Sequence, residues 1–121
     1  MTAAGFKYLK AVSELGACGV KITEISEKTG LSKVSVYRAV SRLEAAGYTE
    51  RDERNRITIT PLGKEQLDNY VGLISWLEVH FATHCGVDSI TAREDAIAAV
   101  CAVSDGCRNA IFELFKKGCG K

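Results

Sequence analysis

Between Lys21 and Thr60 a short helix, a tight turn, a longer helix with a basic outer face and a charged two-stranded hairpin follow one another. A long, largely apolar helix then starts at Pro61. These two observations predict a mainly α fold: an N-terminal winged helix-turn-helix with a small β-hairpin wing over residues 1–60, followed by a helical dimerisation region over residues 61–121.

The elements are justified in chain order. A first helix spans about Ala3 to Leu15, where Phe6, Leu9, Val12 and Leu15 recur every third residue, and Gly16–Gly19 break the pattern. Thr23 is placed to N-cap a short second helix, with Ile22 outside it and Ile25 inside, and Gly30 supplies the left-handed turn that ends it. Ser32 is the N-cap of the third helix, with Leu31 and Val36 as a hydrophobic staple. Val36, Val40 and Leu43 recur at i, i+4 and i+7 as the buried stripe, which leaves Val34, Ser35, Arg38, Ser41 and Arg42 on the opposite face. Gly47 ends this helix. Tyr48–Arg51 and Arg56–Thr60 form a hairpin around Asp52–Asn55, and the polar–apolar alternation from Arg56 to Thr60 is that of a half-buried strand.

Thr60-Pro61 opens the long helix, with Thr as N-cap and Pro at the first helical position. It runs to about Cys85 and is apolar around much of its girth, through Leu67, Tyr70, Val71, Ile74, Trp76 and Val79 among others. A monomer this small has no interior for all of that surface, which predicts a homodimer formed through this helix. After the Gly86-Val87-Asp88 turn come two helices, roughly Ser89–Val103 and Asp105–Lys117, the second N-capped by Ser104.

Composition narrows the function. A hydrophobic content of 46% over 121 residues is enough for a packed core. The net charge is only +1, but residues 1–56 carry 10 Lys and Arg against 7 Asp and Glu, whereas residues 57–121 carry 6 against 8. A basic first half joined to an acidic second half fits binding to double-stranded DNA followed by binding to a partner. The N-terminus lacks the apolar run of a signal peptide and nothing is long and apolar enough for a membrane span, so the expected location is cytoplasmic. Five cysteines (Cys18, Cys85, Cys101, Cys107 and Cys119) lack CxxC spacing and read as thiols in a reducing compartment. There is no phosphate loop, nucleophile elbow or pair of carboxylates suited to catalysis, so no catalytic residue is assigned and the chain is not expected to be an enzyme.

The third helix carries what a groove reader needs. Arg38 and Arg42 suit guanine edges or phosphates, Ser35 and Ser41 bond to either, and Val34 suits a thymine methyl. Ser32, Lys33 and Tyr37 complete the approach. In the wing, Arg51, Arg54, Asn55 and Arg56 suit phosphate or minor-groove contact, although Asp52 and Glu53 lie among them. The plainer alternative is a helical protein-interaction module with an ordinary solvated face. One recognition helix reads only a few base pairs, and specific binding through two half-sites calls for the dimer that the long helix supplies.

Tyr8-Leu9-Lys10, the segment LSKVSVYRAVSRLEAAGY, the segment ITITPLGKEQL, the Gly86-Val87-Asp88 turn and the Val103-Ser104-Asp105 junction occur in an order and near-ungapped spacing that resembles the iron- and manganese-dependent repressor family typified by the diphtheria toxin repressor. The resemblance covers most of the chain. It implies a winged-helix domain followed by a helical dimerisation and metal-binding domain, with iron or manganese as the divalent cofactor. On that pattern the primary metal site falls at Lys7, Ile97, Val100 and Cys101, and the ancillary site at Ile74, Glu78 and Arg93. Lys, Ile and Val are not iron or manganese ligands, so this chain departs from the family there, and only Glu78 keeps a residue type the family uses. An ion pair between Arg93 and Glu78 is expected in place of the ancillary metal; a Glu78 simply exposed to solvent is the alternative.

Two further candidates come from the residues themselves. His80 and His84 share a helix face at i, i+4 beside Cys85, a spacing that can hold a transition metal, with Cys85, Cys101 or Cys119 as a completing ligand; a plain surface His pair is the alternative. Cys107 lies in the first turn of the last helix, where the helix dipole favours a thiolate, and is a redox candidate; a structural thiol is the alternative. Three readings therefore stand. Metal at a rearranged site that uses some of Glu78, His80, His84, Cys85 and Cys101 controls DNA binding; a metal-independent regulator responds to a thiol or another ligand; or the winged helix is a protein-interaction adaptor.

Overall fold

The computed structural model describes residues 1–16 and 19–117, so Cys18 and Cys119 lie outside the described residues. The chain divides into two compact units, Met1–Asp68 and Asn69–Lys121. Among the described residues, six helices and one two-stranded antiparallel sheet form the mainly α winged-helix architecture that the sequence predicts.

In the first unit, α1 (Ala3–Leu15) is N-capped by Thr2, whose hydroxyl accepts Gly5 N–H at 3.0 Å. It buries Phe6, Tyr8, Leu9, Ala11 and Val12 and packs against α2 and α3. The start of α2 (Ile22–Thr29) corrects the expectation for Thr23. The N-cap is Lys21, whose N–H donates to Glu24 Oε1 at 3.2 Å. A glutamate three residues into the helix satisfies the terminus without a hydroxyl cap. Gly30 closes α2 at φ 72°, donating to Ser26 O at 2.9 Å.

Ser32 caps α3 (Lys33–Ala45) as expected, and Val36, Val40 and Leu43 are its buried stripe. The helix ends with Gly47 at φ 84°, where Gly47 N–H bonds Glu44 O and Tyr48 N–H bonds Leu43 O, a Schellman closure that turns the chain into the hairpin. In that hairpin, β1 (Thr49–Arg51) and β2 (Ile57–Ile59) pair in the register Thr49↔Ile59, Glu50↔Thr58 and Arg51↔Ile57. Val20 exchanges two backbone hydrogen bonds of 2.8 Å with Ile57 on the other edge of β2, and both side chains are fully buried.

Thr60 starts α4 (Pro61–His84): its hydroxyl accepts Gly63 N–H at 3.0 Å and donates to Gly47 O at 2.5 Å. Gly63 is required here by proximity, because a Cβ would lie 2.0 Å from Tyr48 O. The division between units falls inside α4.

In the second unit, Tyr70, Leu73, Ile74, Ala92, Ala96, Ile97, Val100 and Phe112 form the buried apolar set. Asp88 N-caps α5 (Ser89–Ala102), and Ser104 N-caps α6 (Asp105–Lys116). The charged side chain buried with them is Arg108, only 4% exposed. Its Nε donates to Val100 O at 2.9 Å, and its Nη2 to Cys101 O at 3.2 Å and to Val103 O. Nη1 meets Asp105 Oδ1 at 2.7 Å, and the guanidinium sits 5.0 Å over the Tyr70 ring. One guanidinium thereby satisfies three carbonyls at the end of α5, which would otherwise be orphaned next to the core.

Candidate nucleic-acid interface

The exposed face of α3 is organised by its own cap. Ser32 Oγ accepts Ser35 N–H at 3.2 Å and donates its proton to Ser35 Oγ at 3.0 Å, which leaves the Ser35 proton for an outside acceptor. Lys33, Val34, Tyr37, Arg38 and Arg42 are exposed along this face and Ser41 is half-buried. Val34 is 62% exposed, an unusual place for a valine with no partner of its own. Among the described residues, no ion pair or side-chain hydrogen bond engages Arg38 or Arg42.

The wing cations divide into committed and uncommitted groups. Arg51 Nε lies 3.1 Å from Glu44 Oε2, its Nη1 donates to Asn55 Oδ1 at 3.3 Å, and its guanidinium sits 5.1 Å over the Tyr37 ring. Tyr37, Arg51 and Asn55 are thus joined to one another, and together they fasten the wing to α3. Arg56 directs Nη1 to Gly19 O at 3.5 Å and is half-buried. Arg54 is exposed, and no side-chain partner engages it among the described residues. Asp52 has a structural role: Oδ1 accepts Arg54 N–H and Arg56 N–H, each at 2.9 Å, and sets the turn in which Asn55 takes φ 60°. Such local carboxylate-to-backbone bonding is the usual reason for Asp at a turn. Glu44 and Asp52 are the two residues that sequence reasoning did not assign to the site. Glu44 carries no local signal, since its partner comes from a strand.

The metal and redox candidates lie in the second unit and do not form one site. Among the described residues, no group of three or more His, Cys, Asp or Glu side chains converges to hold a metal ion. Glu78 meets Arg93 Nη1 at 3.7 Å, the ion pair expected from sequence. His80 is half-buried and bonds Trp76 O through Nδ1 at 2.8 Å, and His84 and Cys85 are exposed. Residues two apart on a helix point to different sides, so Glu78 and His80 part company. Cys101 is half-buried, and burial pushes its thiol up, away from the thiolate that metals bind. Ile74, Ile97 and Val100, at positions where the family resemblance places ligands, are buried aliphatic side chains. Cys107 is exposed in the first turn of α6, its N–H donating to Ser104 Oγ at 3.3 Å.

Residues 5–53 match the family model of the IclR helix-turn-helix domain. This is a DNA-binding helix-turn-helix domain. The match contains α1, α2, α3 and β1. No curated protein matches the chain in sequence. Among solved structures, the hypothetical protein SSo2273 from Sulfolobus solfataricus aligns with a TM-score of 0.73 at 21% identity, over 97% of this chain and 91% of that one. T. acidophilum IdeR aligns with a TM-score of 0.61 at 18% identity, over 92% of this chain and 53% of that one. ScaR with bound Zn2+ aligns with a TM-score of 0.68 at 23% identity, over 93% and 53%. The chain thus spans about half the length of those two proteins, and at these identities the likeness is one of fold. No helix of the described residues is long and apolar enough to cross a membrane.

Proposed function

We propose that this chain is a dimeric, sequence-specific transcription regulator that reads duplex DNA with α3 and flanks it with the β1–β2 wing. The observation that carries the reading is the contrast among its arginines. Arg38, Arg42 and Arg54 stand exposed and uncommitted, whereas Arg51 ties the wing to the helix that bears two of them. Free guanidinium groups on a preorganised frame are what phosphate and guanine recognition needs. The exposed Val71, Trp76 and Val79 of α4 support pairing of two copies through that helix.

Its control is independent of iron and manganese. Ile74, Ile97 and Val100 offer no donor atoms, and Arg93 supplies a cation to Glu78. A second reading, regulation by a small molecule, is favoured by an apolar groove of about 300 Å3 lined by Leu73, Trp76, Val103, Ile111, Leu114 and Phe115 among others. B. bronchiseptica BpsR, whose DNA binding is regulated by 6-hydroxynicotinic acid, aligns with a TM-score of 0.55 at 22% identity over 97% of this chain and 74% of its own.

The test is fluorescence anisotropy on a duplex recovered by selection from genomic fragments, run anaerobically with chelator and with added iron(II) or manganese(II). Equal binding in all conditions, lost in the Arg38→Ala/Arg42→Ala variant, is the expected result. Binding only with metal would overturn metal independence. Absence of any selected duplex, with the fold intact, would move the chain to a protein-interaction role.

A further inference from the structure

The geometry points to a two-histidine site for a late first-row divalent metal, Ni2+ or Zn2+, on the exposed C-terminal end of α4. It needs no residue of the wing or of α3. His80 and His84 stand one turn apart with ring centroids 5.2 Å apart and planes inclined by 38°. A carbonyl oxygen only accepts, so the 2.8 Å contact from His80 Nδ1 to Trp76 O makes Nδ1 the protonated nitrogen. That assigns the lone pair to Nε2. A ligating imidazole usually has its other N–H held by such a backbone carbonyl, which fixes both tautomer and ring orientation. The Trp76 ring packs on the His80 ring at 4.1 Å and holds it further.

The spacing suits a shared ion. With a metal–nitrogen bond of ~2.1 Å an ion stands ~3.2 Å from the centroid of each ligating ring, so rings 5.2 Å apart are within reach of one shared ion. Two imidazoles and otherwise open coordination suit Ni2+ and Zn2+ better than the oxygen-preferring manganese. Cys85 follows His84 directly, and adjacent residues do not share a helix face, so the thiol is no part of the site. Glu78 is engaged by Arg93.

Trp76 is the only tryptophan of the chain, and its stacking on His80 makes it a reporter. Untagged full-length protein is titrated with Ni2+ while tryptophan fluorescence is followed, and Zn2+ is then added as a non-quenching competitor. Quenching with half-saturation in the micromolar range, reversed by Zn2+, is expected. His84→Ala should raise the half-saturating Ni2+ concentration at least tenfold with an unchanged thermal melt, because His84 is exposed and Trp76 keeps its His80 contact. Cys85→Ser should leave the titration as it is. Quenching unchanged in His84→Ala, quenching abolished by Cys85→Ser, or quenching only at millimolar Ni2+ would each overturn the proposal.

Discussion

Arginine is used in two opposite ways in this chain, and the difference is set by what each guanidinium touches. Arg38 is exposed and free to form a bidentate contact, so Arg38→Ala should cost about 1–3 kcal/mol of operator affinity and relax preference at one base position, read by selection and sequencing. Arg54→Ala should lower affinity evenly across sequences and reduce the salt slope by about one charge, read from binding at a series of salt concentrations. Arg108 is the reverse case. Its removal would strand the Val100, Cys101 and Val103 carbonyls beside the core, so Arg108→Ala should destabilise the fold by about 3–5 kcal/mol, read by chemical denaturation, and Arg108→Lys should rescue little of it. Thr49 offers a gain: its buried Oγ1 has no hydrogen-bond partner among the described residues, and Thr49→Val should stabilise by about 1 kcal/mol in the same assay.

At the scale of elements, the caps were the most legible part of the sequence because they are local. Ser32, Thr60 and Ser104 each cap the helix they precede, and Gly30 ends α2, since one side chain or one permissive backbone decides each boundary. Thr23 misled because the alternative, a Lys21 backbone satisfied by Glu24, has no hydroxyl to announce it. The Val20 bridge to Ile57 was invisible for a different reason: a single residue carries no alternation. Asp88 illustrates a cap that titrates. The Thr91 N–H holds its carboxyl below the ordinary 3.8, helped by the Thr91 hydroxyl. The folded value lies below the unfolded one, so the contribution is complete above about pH 4 and fades as pH falls through the folded value. Amide exchange in the first turn of α5, taken relative to the intrinsic rate at each pH, should therefore quicken as pH falls below the ordinary 3.8, and Asp88→Asn should keep the cap while removing that dependence.

For the whole molecule, the order of elements and the basic face of α3 could be read from pattern, whereas the contacts that organise the site could not. Arg51, Tyr37 and Asn55 were each recognisable as groove-facing types; that they hold one another depends on where β1 runs past α3, which no spacing in the sequence encodes. The same holds for Arg108, whose carbonyl partners come from the end of α5. The wing's attachment to α3 bears on how binding would be divided between rate and entropy. A hairpin whose arginine already lies against Glu44 and Tyr37 has its loop ordered at the time of folding, so little conformational freedom remains to be lost on contact with a duplex. That same arginine would have to exchange a carboxylate for a phosphate, which makes the wing a stiff ruler along the backbone rather than an adhesive for it.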